Sequence, residues 1–139
     1  MGQSMSALIA ATATARGITV AAAVGFLVIA IFQAALALGA PLGRAAWGGT
    51  RTHLPTGLRI ASAAAVVFWL LAALIVLGRA EFEISPVSDA VARWGTWILV
   101  GVLLVGALMN FASSSPWERF LWGPLALVLA VLCFVLARG

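Results

Sequence analysis

The chain reads as an all-α membrane protein, four transmembrane helices in an antiparallel bundle, and three observations predict that fold. Four long apolar stretches take up most of its 139 residues. Each is close to the ~20 apolar helical residues that cross a hydrocarbon core of about 30 Å. Every ionisable side chain falls between the stretches or at their edges. Composition agrees, with 64% hydrophobic and only 9% charged residues, against about 25% charged in ordinary soluble domains. Mean hydropathy is +1.16. Four spans and their connections use up the sequence, so a single transmembrane domain over residues 1–139 is expected.

The expected spans are residues 18–40, 60–78, 94–112 and 121–137. Before the first lies a small, polar segment, residues 1–16, whose only charge is Arg16; it predicts a loosely helical tail. A secretory signal peptide is the competing reading, with Arg16 as its basic region, residues 18–32 as its apolar region and Ala35-Leu36-Ala37 as its cleavage site. The apolar run continues past Phe32 to span length, which favours a membrane helix. The first connection, residues 41–59, carries Arg44, Arg51, His53 and Arg59 with no acid, and Gly43, Gly48, Gly49, Pro55 and Gly57 mark it as turns. The second, residues 79–93, is net acidic through Glu81, Glu83 and Asp89, and Ser88 or Asp89 signals the start of the third span. The third connection, residues 113–120, contains Ser115-Pro116-Trp117-Glu118. N-cap serine, first-turn proline and glutamate at the third position form a capping box, so a helix should open at Pro116. Pro124 then bends the chain or marks the start of the true span.

Four spans place both termini and the second connection on one membrane face, with the first and third connections on the other. Arg16, Arg79, Arg93 and Arg138 then stand against Arg44, Arg51, Arg59 and Arg119. The positive-inside rule counts basic residues and so assigns no orientation. Trp47, Trp94, Trp97, Trp117 and Trp122 gather at span ends, as amphipathic rings do at an interface. Arg44, Arg51, His53, Arg59 and Arg119, with Trp47, Trp117 and Trp122, are therefore candidate lipid-headgroup and interface residues. Trp69 is different: it falls in the middle of the second span, as a packing residue or a stacking platform for a ligand.

Two segments match at a spacing of 75 residues. Pro41-x-x-Arg44-x-x-Trp47-Gly48 recurs as Pro116-x-x-Arg119-x-x-Trp122-Gly123. Upstream, at an offset of 77, Arg16-x-x-Thr19 faces Arg93-x-x-Thr96 and Gln33 faces Asn110. Together these suggest parallel repeats over residues 16–78 and 93–137: two hairpins, each with a short interfacial helix that opens at Pro and stops at Gly. The competing explanation is that interfacial loops collect Pro, Arg, Trp and Gly independently. Gln33 and Asn110 are the polar residues of most interest inside the spans. They predict either interhelical hydrogen bonding, worth about 0.6–2 kcal/mol, or a polar site for a small ligand between the hairpins. Small-residue pairs such as Ala21/Gly25, Ala30/Ala34 and Ala61/Ala65, and Gly95, Gly101 and Gly106 in the third span, predict close helix packing.

Much chemistry is missing from the spans. None has an ionisable residue well inside it, unlike most proton relays and ion-coupled carriers. One His and one Cys, Cys133, supply no metal site of ordinary ligand number, and no cofactor is expected. The basic residues are too scattered for a nucleic-acid surface. Membrane lipids are the expected partners, together with another membrane protein or a second copy. The first function expected is a non-enzymatic accessory, assembly or lipid-interacting component of the cell membrane. The alternative is a transporter or channel for a small neutral or lipidic molecule, with Gln33 and Asn110 lining its site. A third is a loop-based membrane enzyme for a phospholipid-like substrate, built around His53 and the arginines.

The run Gly39-Ala40-Pro41-Leu42-Gly43-Arg44-Ala45-Ala46-Trp47-Gly48-Gly49, then Leu54-Pro55 and Leu58-Arg59, resembles a pattern in small bacterial integral membrane proteins of four helices. Met109-Asn110-Phe111-Ala112-Ser113 and Trp117-Glu118-Arg119 fit it as well. The resemblance spans most of the chain and implies the architecture, with no activity or substrate attached. The small multidrug-resistance transporters share the size and helix count, but the membrane-embedded Glu of their first span has no counterpart in residues 18–40.

Overall fold

The computed structural model describes residues 2–139. Four long helices follow one another: α1 (Gly2–Ala37), α2 (Thr56–Arg79), α3 (Asp89–Ala112) and α4 (Gly123–Arg138). A short 3₁₀ turn at Gly43–Ala45 interrupts the first connection, and a π turn at Glu118–Trp122 leads into α4. All four helices are long and apolar enough to cross a membrane, the last counted from Glu118. Large apolar side chains cover the outside: Ile31, Ile98, Leu108 and Met109 are all more than 60% exposed. Such a surface would aggregate in water but is the ordinary exterior of a bundle solvated by lipid tails. This is a multi-pass membrane protein.

The interior is built largely from small residues. α1 packs mainly on α2 and α3 mainly on α4, and the two hairpins then meet through α2–α3 and α1–α4. Ala22, Ala23, Ala72, Ala73, Ala126 and Ala130 are buried, which lets the backbones approach around Phe26, Leu103 and Leu129. Of the helix glycines, Gly25 lies against Leu129 and Gly95 against Ile75, whereas Gly101 and Gly106 face open space. Not every small residue serves packing.

Sequence signals can be compared with observed elements at three places. The segment expected as a loose tail is regular helix from Gly2, the first residue described. Ser6, Thr12 and Thr14 donate their hydroxyls to carbonyls four residues back, so the polar side chains stay within the helix. At ~1.5 Å per residue, α1 is about 54 Å long and outreaches the hydrocarbon core. α3 does begin where Ser88 signals it, with the Ser88 hydroxyl accepting from the Val91 amide at 3.4 Å. At α4, Pro124 has no N–H to donate to Phe120, and its ring crowds that carbonyl. The chain widens instead, and the Gly123 amide donates five residues back, to Glu118. The bend expected at Pro124 is this π turn.

The proposed interfacial helices also take different forms. After Pro41 the chain makes only a 3₁₀ turn, then three left-handed residues in succession: Trp47 (φ 51°), Gly48 (φ 86°) and Gly49 (φ 70°). After Pro116 it stays helical through Gly123, which is right-handed. Gly48 thus ends a turn, while Gly123 ends nothing. Their companion residues matter more than their shared letters.

Candidate functional site: a cleft between the hairpins

The first and third connections meet at one end of the bundle, and their polar groups join across about 70 residues of sequence. The Ser115 hydroxyl donates to the Arg44 carbonyl at 2.7 Å, and the Trp122 indole donates to the Ala45 carbonyl at 2.9 Å. Glu118 is the centre of the junction. Its carboxylate accepts from the Gly48 amide at 3.1 Å and from the Ser113 hydroxyl. One arm of the expected capping box is present, with the Ser115 hydroxyl accepting from the Glu118 amide at 3.4 Å. The other is not: the Ser113 hydroxyl accepts from the Ser115 amide, freeing Glu118 to reach across the bundle. A local helix cap has become a long-range latch.

Trp47 is held from beneath. Its left-handed backbone, uncommon for a residue with a side chain, is fixed by an indole N–H donated at 3.0 Å to Ser62 of α2, whose side chain is fully buried. Gly49 is so closely surrounded that a Cβ there would lie 2.7 Å from the Arg44 carbonyl oxygen of its own connection and 2.7 Å from the Ser115 Cβ of the third. Arg59 donates its Nε to the Ala37 carbonyl at the end of α1, and Arg119 donates to the Ser113 carbonyl. Connection and helix ends are thereby tied into one polar layer.

Beneath this layer a cleft of about 680 Å³ opens between the hairpins, with walls from all four helices. Its polar wall holds Gln33 of α1, Asn110 and Ser113 at the end of α3, and Glu118. The apolar wall includes Phe32, Trp69, Val102, Met109 and Trp122. Val102 lies ten residues before the end of α3, so the cleft reaches ~15 Å into the bundle. Gly106 lines it too and leaves it wide, since a Cβ there would meet nothing within 4 Å. That size suits a small ligand or a lipid segment.

Gln33 and Asn110 line the same cleft but are not hydrogen-bonded to each other. The side-chain carbonyl of Gln33 is buried and has no partner among the described residues. Trp69 stacks on buried Phe26, with ring centroids 5.6 Å apart, as a packing residue does, and it also lines the cleft. Trp122 packs against Phe32 at 4.6 Å. Of the expected interface residues, Trp47 and Trp122 are thus fastened within the bundle. Trp117, Arg51 and His53 stand exposed at the surface, and the Arg44 guanidinium turns outward to the Thr52 hydroxyl at 3.4 Å. Two contributors escape a reading of the sequence. Ser62 looks like an incidental hydroxyl near the start of a span, although a polar group there needs a partner. Glu118 is legible as a cap, and only the chain's return brings Gly48 to it.

No family model, curated protein or solved structure matches the chain.

Proposed function

We propose that the protein is a non-enzymatic, lipid-interacting component of a cell membrane that holds an amphiphilic molecule in the cleft between its hairpins. The observation that carries this reading is the unpartnered, buried carbonyl of Gln33 in a roomy wall. A buried amide oxygen without a hydrogen bond costs about 1–3 kcal/mol, so a bound head group stabilises what the empty protein leaves unsatisfied. Polar groups gather at the interfacial end and apolar groups deeper in, which matches the order of head and tail in a lipid.

A duplicated-hairpin origin is supported by the buried faces of α1 and α3. At the offset of 77 residues, Thr19, Ala22, Phe26 and Ala30 correspond to Thr96, Leu99, Leu103 and Ala107, and all eight are buried. Thr19 and Thr96 both donate to the carbonyl four residues back, Ala15 and Ala92. On this reading Gln33 and Asn110 are equivalent positions that converge on one site.

The test is occlusion. Gly106→Leu grows a side chain into the cleft without meeting a neighbour at its Cβ. The native protein should retain a lipid or amphiphile through purification, and the variant should fold normally yet retain far less. Unchanged lipid retention by a well-folded Gly106→Leu protein would refute the cleft as a binding site.

A further inference from the structure

Resting on the cleft as a binding site, the proton inventory of its wall points to the head group it takes. Trp47 and Trp122 line the cleft, but their indole N–H groups are already committed, to Ser62 and to the Ala45 carbonyl. The Ser113 hydroxyl is committed to Glu118. What the wall has to spare is the side-chain amides of Gln33 and Asn110, each both donor and acceptor, and the acceptor capacity of Glu118. The Gln33 carbonyl has no partner. A carboxylate offers about four lone-pair positions, and those of Glu118 meet only the Gly48 amide and the Ser113 hydroxyl.

Charge points the same way. Among the described residues, Glu118 is the only ionisable one lining the cleft. None of the arginines at this end lines the cleft: Arg59 donates to the Ala37 carbonyl, Arg119 to the Ser113 carbonyl and Arg44 to the Thr52 hydroxyl, and Arg51 is exposed. A head that leads with an anionic phosphate or carboxylate, with no cation ahead of it, would face a like charge in a medium of low dielectric, with no guanidinium in the wall to offset it. A cationic head that donates N–H bonds meets both the charge and the free lone pairs of Glu118.

We infer that the cleft is selective for an amphiphile bearing a primary ammonium, which donates to the Gln33 carbonyl and the Glu118 carboxylate while its apolar tail lies along Trp69, Val102 and Met109. Two sources share this chemistry: an ethanolamine-type phospholipid and a free long-chain amine.

The experiment is native mass spectrometry of the full chain released from maltoside micelles, with dodecylamine, dodecyltrimethylammonium and dodecanol as matched probes. Dodecylamine should bind with one-to-one saturation, at least about tenfold tighter than the trimethylammonium analogue, because charge-assisted N–H donation is lost in the latter. Gln33→Leu should remove most of that preference. Gln33 makes no hydrogen bond within the described protein, so this variant leaves the fold intact, and it serves where Glu118→Gln loosens the latch. Saturable but equal binding of all three probes would overturn the ammonium inference while leaving the cleft as a site. Absence of saturable binding for every probe would overturn both. Retention of phosphatidylethanolamine over phosphatidylcholine from mixed nanodiscs identifies the head group of a lipid. Capture of dodecylamine without that lipid preference identifies a free amine.

Discussion

Gly48 and Gly49 are adjacent and both left-handed, yet substituting alanine at each should have very different consequences. At Gly48 a Cβ meets nothing within 4 Å, so the cost is that of holding an L-residue in the left-handed region, about 1 kcal/mol. At Gly49 the same backbone cost applies, and the new Cβ would lie 2.7 Å from both the Arg44 carbonyl oxygen and the Ser115 Cβ. Neither neighbour is the loose end of a flexible chain. The turn from Arg44 to Gly49 must open and the two connections must separate, which costs roughly 1–3 kcal/mol as overpacking and about 1 kcal/mol more for the Ser115–Arg44 hydrogen bond. Gly49→Ala should therefore lose about 3–5 kcal/mol and Gly48→Ala about 1. The chain carries its own reporter, because Cys133 is its single cysteine and is fully buried. Unfolding in detergent against SDS or heat can be followed by reaction of that thiol with a fluorogenic maleimide. Equal losses for the two variants would show that the junction between the connections is not packed as described.

Three further perturbations probe separate parts of the fold. Ser62→Ala strands the Trp47 indole N–H and should cost about 1–2 kcal/mol by the same thiol assay; an unchanged midpoint would mean that the indole finds water instead. Phe26→Ala empties the space between the stacked Trp69 ring and the alanine-rich core, and should cost about 3 kcal/mol, the low end for such truncations because lipid solvates apolar groups too. Its Trp emission should shift with the loss of stacking. Pro124→Ala restores an N–H for the Phe120 carbonyl and removes the ring that crowds it, so the π turn should relax to ordinary helix. Trp122 would then rotate away from Phe32 and the Ala45 carbonyl, an outcome that cross-linking between positions 32 and 122 can detect. Retained proximity there would place the origin of the π turn elsewhere, in the Glu118 latch.

The latch also explains why a protein without ionisable residues deep in its spans keeps one acid where two connections join. At the cleft's mouth Glu118 accepts from the Ser113 hydroxyl five residues back and from the Gly48 amide, a donor that no neighbour in sequence could supply. Replacing it with alanine would orphan those donors together, so the residue is structural and lines the site at the same time.

The sequence by itself determined the solvent, the number of crossings and most helix boundaries. Those follow from local quantities: run length against bilayer thickness, the exclusion of charge from hydrocarbon, and a serine cap at Ser88. Pro124 was legible as a disturbance for the same reason, since a missing N–H is a property of one residue. Tertiary structure alone decided that Gln33 and Asn110 share a cleft without bonding to each other, that Trp47 is pinned to Ser62, and that Glu118 serves Gly48 and not its own helix cap. Each depends on which faces of α1 to α4 come together. In a lipid-solvated bundle that choice is made by close packing of small side chains and by pairing of the few polar ones, and an alanine-rich sequence offers many nearly equivalent ways to do both.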